Sequence, residues 1–367
     1  MPFSRRYIGL VAFSIAVFVL PFLFLELVVR IAQPHVSSLE IFAPPQNFGG
    51  QTRHLWGGQI FEGDALLGWR LIPNLKNTFW DFTTFSTNRQ HFRYPTDIEN
   101  KNPGTIRILM LGDSVTFGYR VPVTFPENPS IYDKSQEPYP ALLEKYLREH
   151  NPDKKIEVIP MAVPGYTTYQ GLAWLKRDIA RLKPDLITIM YGWNDQELHV
   201  QADKQALPTG TFHILARKIM IHSQALIYAS RWWAHLGKED AMVPPLEQNT
   251  PRVSKDDYLA NILAMVDVAK NNNARAVIIG PVYEDLQSNA GQGKNIMEYR
   301  SALKQTAGQA GIPYLEIPAL TEQGFPANQT LFQEPIHPNA TGHQIIAETL
   351  EKFFNQSGIF SSLHLQN

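Results

Sequence analysis

Hydrophobic and polar positions follow two rhythms along the chain. From residue 105 onward, short apolar runs recur: "IRILMLG", "KIEVIPMAVPG", "DLITIMYGWND", "ARAVIIGPVYE" and "IPYLEIP". Several are apolar at successive positions, as strands covered on both faces are. Between them, "YPALLEKYLREHNP", "TYQGLAWLKRDIARLKP", "SKDDYLANILAMVDVAKNNN", "NIMEYRSALKQTAGQAG" and "NATGHQIIAETLEKFFNQSG" space their apolar residues as helices do. Ser254 is a plausible cap for the third of these, and Pro184 closes the second. Strands alternating with helices predict the α/β class, a parallel sheet layered by helices on both sides. There is no internal repeat.

The rest of the chain has other patterns. Residues 7–25, "YIGLVAFSIAVFVLPFLFL", carry no charge before Glu26. About 20 apolar residues cross a bilayer as a helix, so residues 1–30 are expected to form an uncleaved transmembrane signal anchor. A cleaved signal peptide is the alternative. Arg5 and Arg6 precede the run and Arg30 follows it, which puts the remaining chain outside the cytoplasm under the positive-inside tendency. Residues 31–104 form a stem rich in Pro, Gly, Asn and aromatics, among them Trp56, Trp69, Trp80, Phe85 and Phe92. Its runs "LGWRLIP" and "TFWDFTTFST" predict small strands or a hairpin packed on the main body. The main domain is expected over 105–358, interrupted by a helical insertion over 196–253. That insertion is either a lid or, the reading favoured, a helical hairpin packed on the body. Its Trp232 and Trp233 would suit a membrane interface.

Composition narrows the chemistry. With 44% hydrophobic and 18% charged residues, the chain is built to fold compactly. A net charge of −1 and no basic cluster give no reason to expect nucleic acid as a partner. The absence of cysteine removes disulfides, thiol catalysis and Cys-based zinc sites together. No GxGxxG, Walker or HExxH pattern occurs, so neither cofactor nor metal is implied.

Ligands of open parallel sheets bind beyond the carboxyl ends of the strands. Gly112-Asp113-Ser114 follows the first predicted strand, Pro164-Gly165-Tyr166 the second and Gly192-Trp193-Asn194-Asp195 the third. "EPIHPN", with Glu334 and His337, precedes the last helix. Ser114 is a nucleophile if His337 takes its proton. Glu334, three residues before His337, can orient the imidazole across one turn of backbone. An oxyanion would meet the backbone N–H groups of Ser114 and Gly165 and the side-chain amide of Asn194. Ser114 at a helix start would add the positive end of a dipole. Asp113 and Asp195 read as turn-bracing residues. His343, the nearest rival base, reads as a packing or surface residue of the last helix. Tyr119, Arg120, Tyr166 and Trp193 are candidates for lining the cleft, with surface or core-packing roles slightly preferred.

Taken in order, "GDS", "PG", "GWND" and "EPIHPN" resemble the four blocks of the GDSL-type serine hydrolases, the SGNH superfamily, over roughly residues 105–355. The resemblance implies a flavodoxin-like three-layer α/β/α sandwich with a parallel sheet, preceded here by the transmembrane helix. "LGWRLIPN" and "FSTNRQHFR" resemble the region before the catalytic domain in membrane-anchored bacterial members, and "RVSKDDYLANI" has the same flavour. The chain departs from the pattern at three places. Valine follows Gly-Asp-Ser. "NRQHFR" lacks a glycine usual before Phe-Arg. The acid before the histidine is Glu334, not Asp; were it to miss Nδ1, a Ser-His dyad would remain. The expected function is an extracytoplasmic serine esterase acting on small-molecule, glycan or lipid acyl esters. Alternatives are an O-acyltransferase of envelope polysaccharide on the same site, and a non-catalytic envelope binding protein.

Overall fold

The protein is represented by a computed structural model that describes residues 9–10, 13–33, 35–36, 39, 46–48, 51–53, 60–123, 136–199, 201–236, 250–283, 291–317, 331–334 and 336–363. Arg5, Arg6 and Trp56 lie outside the described residues, as does the side chain of Trp233. Along the chain, a π-helical turn over Ile15–Val19 leads into α1, Leu20–Ala32. Then come β1 (Thr105–Gly112), α2 (Tyr139–His150), β2 (Lys155–Ala162), α3 (Thr168–Leu182) and β3 (Leu186–Met190). Next are α4 (Thr211–His222), α5 (Gln224–Leu236), α6 (Lys255–Asn271), β4 (Arg275–Ile279), α7 (Gly291–Gln309), β5 (Tyr314–Leu315) and α8 (Ala340–Gln356).

The chain divides into two compact units, residues 1–70 with 207–243, and residues 71–206 with 244–367. The hairpin of α4 and α5, expected on the main body, thus groups with the N-terminal segment. The division also falls inside the expected stem.

In the larger unit the five strands form a parallel sheet in the order β2-β1-β3-β4-β5. This is the flavodoxin-like winding, in which the crossovers reverse direction between β1 and β3 and leave a crevice there. Every residue of β1 is buried, so it is covered on both faces. On one face α2 packs with α8, joining Leu143, Leu147, Ile346 and Leu350 to Ile106, Ile108 and Met110. α3 packs with α6, and α6 with β3 and β4. Local signals set the helix starts. The Ser254 hydroxyl accepts from the Asp257 N–H at the head of α6, and Asn339 caps Gly342 at 3.0 Å at the head of α8. α3 opens with a capping box between Thr167 and Gln170.

The stem runs are hairpins. Phe61–Asp64 pairs with Gly68–Leu71, and Thr78–Trp80 pairs with Thr83–Phe85. The second turns through Asp81 and Phe82, both at positive φ (44° and 61°), the tight turn whose twist matches its strands. Among the described residues, one helix, Ile15–Ala32, is long and apolar enough to cross a membrane.

Candidate active site

β1 ends against a crowded turn. A Cβ on Gly112 would collide with the Thr116 side chain and lie 3.0 Å from the Met190 carbonyl oxygen, so only glycine fits. Asp113 follows and accepts the Val115 N–H at 3.0 Å, which starts a helix on Ser114. That helix is a single turn, Ser114–Phe117, so the dipole expected behind Ser114 is slight.

Three side chains from two segments meet here. His337 Nε2 lies 2.8 Å from Ser114 Oγ, and His337 Nδ1 lies 2.7 Å from Glu334 Oε1. Glu334 reaches the ring through a two-stranded ladder, not a helical turn: Phe332–Glu334 pairs antiparallel with His337–Pro338, setting Glu334 opposite His337. Ser114 and His337 are both 8% exposed. Burial pushes the His337 pKa below the ordinary histidine value, against the upward pull of Glu334. The His337 hydrogen bond in turn holds the Glu334 carboxyl below its ordinary value. The imidazole is therefore neutral at neutral pH, with Nδ1–H directed to Glu334 and Nε2 open to the serine proton.

The Tyr119 ring lies against His337, centroids 4.3 Å apart. Its hydroxyl donates to Asp81 at the hairpin tip, and Arg120 Nη2 reaches the same carboxylate at 3.3 Å. Arg120 Nη1 stands 3.7 Å from Glu334 Oε1. The guanidinium sits 5.3 Å from the Phe82 ring centroid. Of the cleft candidates, Tyr119 and Arg120 are thus at the triad, whereas Tyr166 is fully buried against Trp174. The half-buried Trp193 opens the turn that carries Asn194.

Gly165 has φ +81°, a left-handed conformation that favours glycine. Its carbonyl accepts Arg252 Nη1 at 2.8 Å. Arg252 is buried and paired with Asp203 at 3.0 Å, so a charge pair anchors the turn. Asn194 Nδ2 donates to the Tyr166 carbonyl at 3.0 Å and to Asp113 Oδ2 at 3.3 Å. An oxyanion would draw on the Asn194 amide only by displacing the longer bond. Asp195 accepts the Thr168 N–H at 2.9 Å and ties the third strand's turn to α3. His343 is buried, stacked on Tyr139 and accepting its N–H at 3.1 Å. Residues 71–104, Arg93 and Asp81 above all, contribute more than their sequence signals. The only hints were "HFR" for Arg93 and "RVS" for Arg252.

A family model described as GDSL-like Lipase/Acylhydrolase family matches residues 110–345. A stretch of 89 residues is 37% identical to an arylesterase of Vibrio mimicus, covering 24% of this chain. The chain spans 38% of that curated relative's length. Among solved structures, it is similar to an acetylxylan esterase from Geobacillus stearothermophilus (21% identity, 67% of this chain and 93% of that one, TM-score 0.43). It is also similar to a GDSL-like lipase from Bacteroides thetaiotaomicron (15% identity, 68% of this chain and 88% of that one, TM-score 0.39).

Proposed function

The chain belongs to the GDSL-like lipase/acylhydrolase family, a family of ester-hydrolysing enzymes, and from that premise we propose that it is a serine esterase anchored to a membrane by its N-terminal apolar helix, Ile15–Ala32. The observation that carries the reading is the continuous relay Ser114 Oγ–His337–Glu334, with links of 2.8 and 2.7 Å. His337 Nε2 takes the Ser114 proton as Oγ bonds to the ester carbonyl carbon. The resulting imidazolium is stabilised by Glu334. Negative charge on the tetrahedral oxygen is met by the backbone N–H groups of Ser114 and Gly165 and by the Asn194 amide. His337 then gives its proton to the departing alcohol, and an acyl-enzyme remains. Water, deprotonated by His337, attacks that acyl group, and the proton returns to Ser114 Oγ as the acid leaves.

The substrates are small-molecule, glycan or lipid O-acyl esters outside the cytoplasm. Residues 1–30 serve as the anchor and 31–104 as the stem. Residues 105–358 form the catalytic domain, with 196–253 inserted.

Intact-mass labelling with a fluorophosphonate tests this, on the full chain in detergent and on Ser114→Ala. One adduct on the wild type, absent from the variant, is expected. A folded wild type that takes no adduct would overturn the relay and leave a binding protein with a hydrolase fold.

A further inference from the structure

The smaller unit carries an apolar surface for which ester hydrolysis has no use. On α4, Phe212, Leu215 and Ile219 are 80%, 56% and 54% exposed. Their spacing lines them up on one stripe of the helix. Thr211, Lys218 and His222, all exposed, flank the stripe. No acidic residue occurs in α4, "TFHILARKIMIH", or in α5, "QALIYASRWWAHL". Trp232 of α5 is 63% exposed.

The link to α1 identifies what meets that stripe. The uncharged run of residues 7–25 ends at Glu26. A helix of that many residues, at about 1.5 Å each, would be about 28 Å long, close to the hydrocarbon thickness, which would set Glu26 at its edge. The Glu26 carboxylate accepts the Ser223 hydroxyl at 2.7 Å and the N–H groups of Gln224 and Ala225 at 2.9 Å each. Arg30 Nη2 donates to the His222 carbonyl at 2.7 Å. These four bonds tie the α4–α5 junction to the level at which α1 leaves the hydrocarbon. With 12 residues α4 is too short to span a bilayer.

We propose that α4 lies in the interfacial plane of the bilayer, with Phe212, Leu215 and Ile219 among the acyl chains and Lys218 at anionic headgroups. This rests on the N-terminal apolar helix, Ile15–Ala32, being a membrane span. An amphipathic helix of this kind gains from buried apolar area and from attraction to anionic lipid together. With α1 it makes a second point of attachment, which prevents the unit from turning about α1.

Because the chain has no cysteine, single replacements accept one label each. Leu215→Cys and Ile219→Cys probe the stripe, Phe18→Cys probes the helical turn that leads into α1, and Lys304→Cys serves as the aqueous control. Each full-length variant carries an environment-sensitive fluorophore and is reconstituted in phosphatidylcholine–phosphatidylglycerol vesicles. An unchanged circular dichroism spectrum and melting temperature certify folding. The expected result is blue-shifted emission at positions 18, 215 and 219, lost on adding nitroxide-bearing lipids, with position 304 quenched only by aqueous iodide. A lipid-quenched label at 18 with water-quenched labels at 215 and 219 overturns the proposal while leaving the anchor intact. Labels at 215 and 219 shielded from both quenchers would mean that protein, such as a second copy, covers the stripe, and this too overturns it. An unquenched label at 18 removes the anchor reading, and the proposal with it.

Discussion

Glu334 carries one methylene more than an aspartate, and its carboxylate still reaches His337 Nδ1 at 2.7 Å. The ladder that sets the two residues opposite each other takes up the extra length. The sign of the pH dependence follows. His337 works as a base only when neutral, and burial has lowered its pKa below the ordinary 6.5. Activity should be level at neutral pH and fall as pH drops through that lowered value. Glu334 pulls the His337 pKa up, so Glu334→Gln should move the acid limb to lower pH. The same variant should cut kcat by on the order of 10²–10⁴-fold, because the imidazolium loses its counter-charge and its tautomer is no longer fixed. A pH–rate profile of both proteins checks it. An acid limb that stays put would show that Glu334 does not set the titration of His337.

Among elements, the hairpin Thr78–Phe85 and its following segment brace the nucleophile turn. Arg93 Nη1 donates to the carbonyls of Phe117 and Gly118 at 2.9 and 2.8 Å, and Nη2 to that of Val121 at 2.5 Å. These groups end the single helical turn begun by Ser114, where carbonyls lack partners within the helix. The guanidinium also lies 4.8 Å from the Phe117 ring centroid. Lysine cannot reproduce that planar fork. Arg93→Lys should therefore lower kcat by about tenfold with little change in KM, as Ser114 loses alignment. Arg93→Ala should also cost on the order of 2–4 kcal/mol of stability. Steady-state kinetics and urea midpoints separate the two effects, and a loss of stability with kcat unchanged would deny Arg93 a positioning role. Two residues upstream, His91 stands where the family resemblance has glycine. It adopts φ +71°, and its Nδ1 pairs with the Leu71 carbonyl at 2.9 Å. A hydrogen bond thus accompanies a conformation that a side chain disfavours.

For the molecule as a whole, buried titrating groups pull in opposite directions. Burial lifts Asp113 and Asp195 to about 7 and drives His343 down to about 3. A carboxyl with a raised folded pKa keeps its proton while the unfolded chain has lost its own. Stability from it falls as pH rises from the unfolded carboxylate value to about 7. A histidine with a depressed pKa loses stability in the other direction, as pH falls below the unfolded value of 6.5. The Asp195 Oδ2 atom is buried without a hydrogen-bond partner among the described residues, and burial outweighs the Thr168 hydrogen bonds and the pull of Arg252 that favour the ionised form. Asp195→Asn stays neutral throughout. Relative to the wild type it should gain about 2 kcal/mol between about pH 5 and about pH 8, whatever its constant offset. Urea midpoints at the two pH values measure this, and a pH-independent difference would place the titration elsewhere.

What the sequence determined by itself was whatever is written locally. Apolar runs alternating with helical periods specified the strands and helices of a parallel sheet. Turn residues after three strands, with "EPIHPN" before the last helix, marked where serine, glycine, asparagine, glutamate and histidine would emerge. The uncharged run of residues 7–25 marked an apolar N-terminal segment, and the described helix long and apolar enough to cross a membrane, Ile15–Ala32, overlaps it. Tertiary structure alone decided the strand order, the reach of the hairpin tip to Tyr119 and Arg120, and the grouping of α4 and α5 with residues 1–70. It also decided that Arg252 pairs with Asp203, 49 residues away, to hold the Gly165 turn. Periodicity and capping arise between residues a few positions apart and leave a trace in the string. A contact between distant segments depends on how packed elements bring them together, and neither residue's neighbours record it.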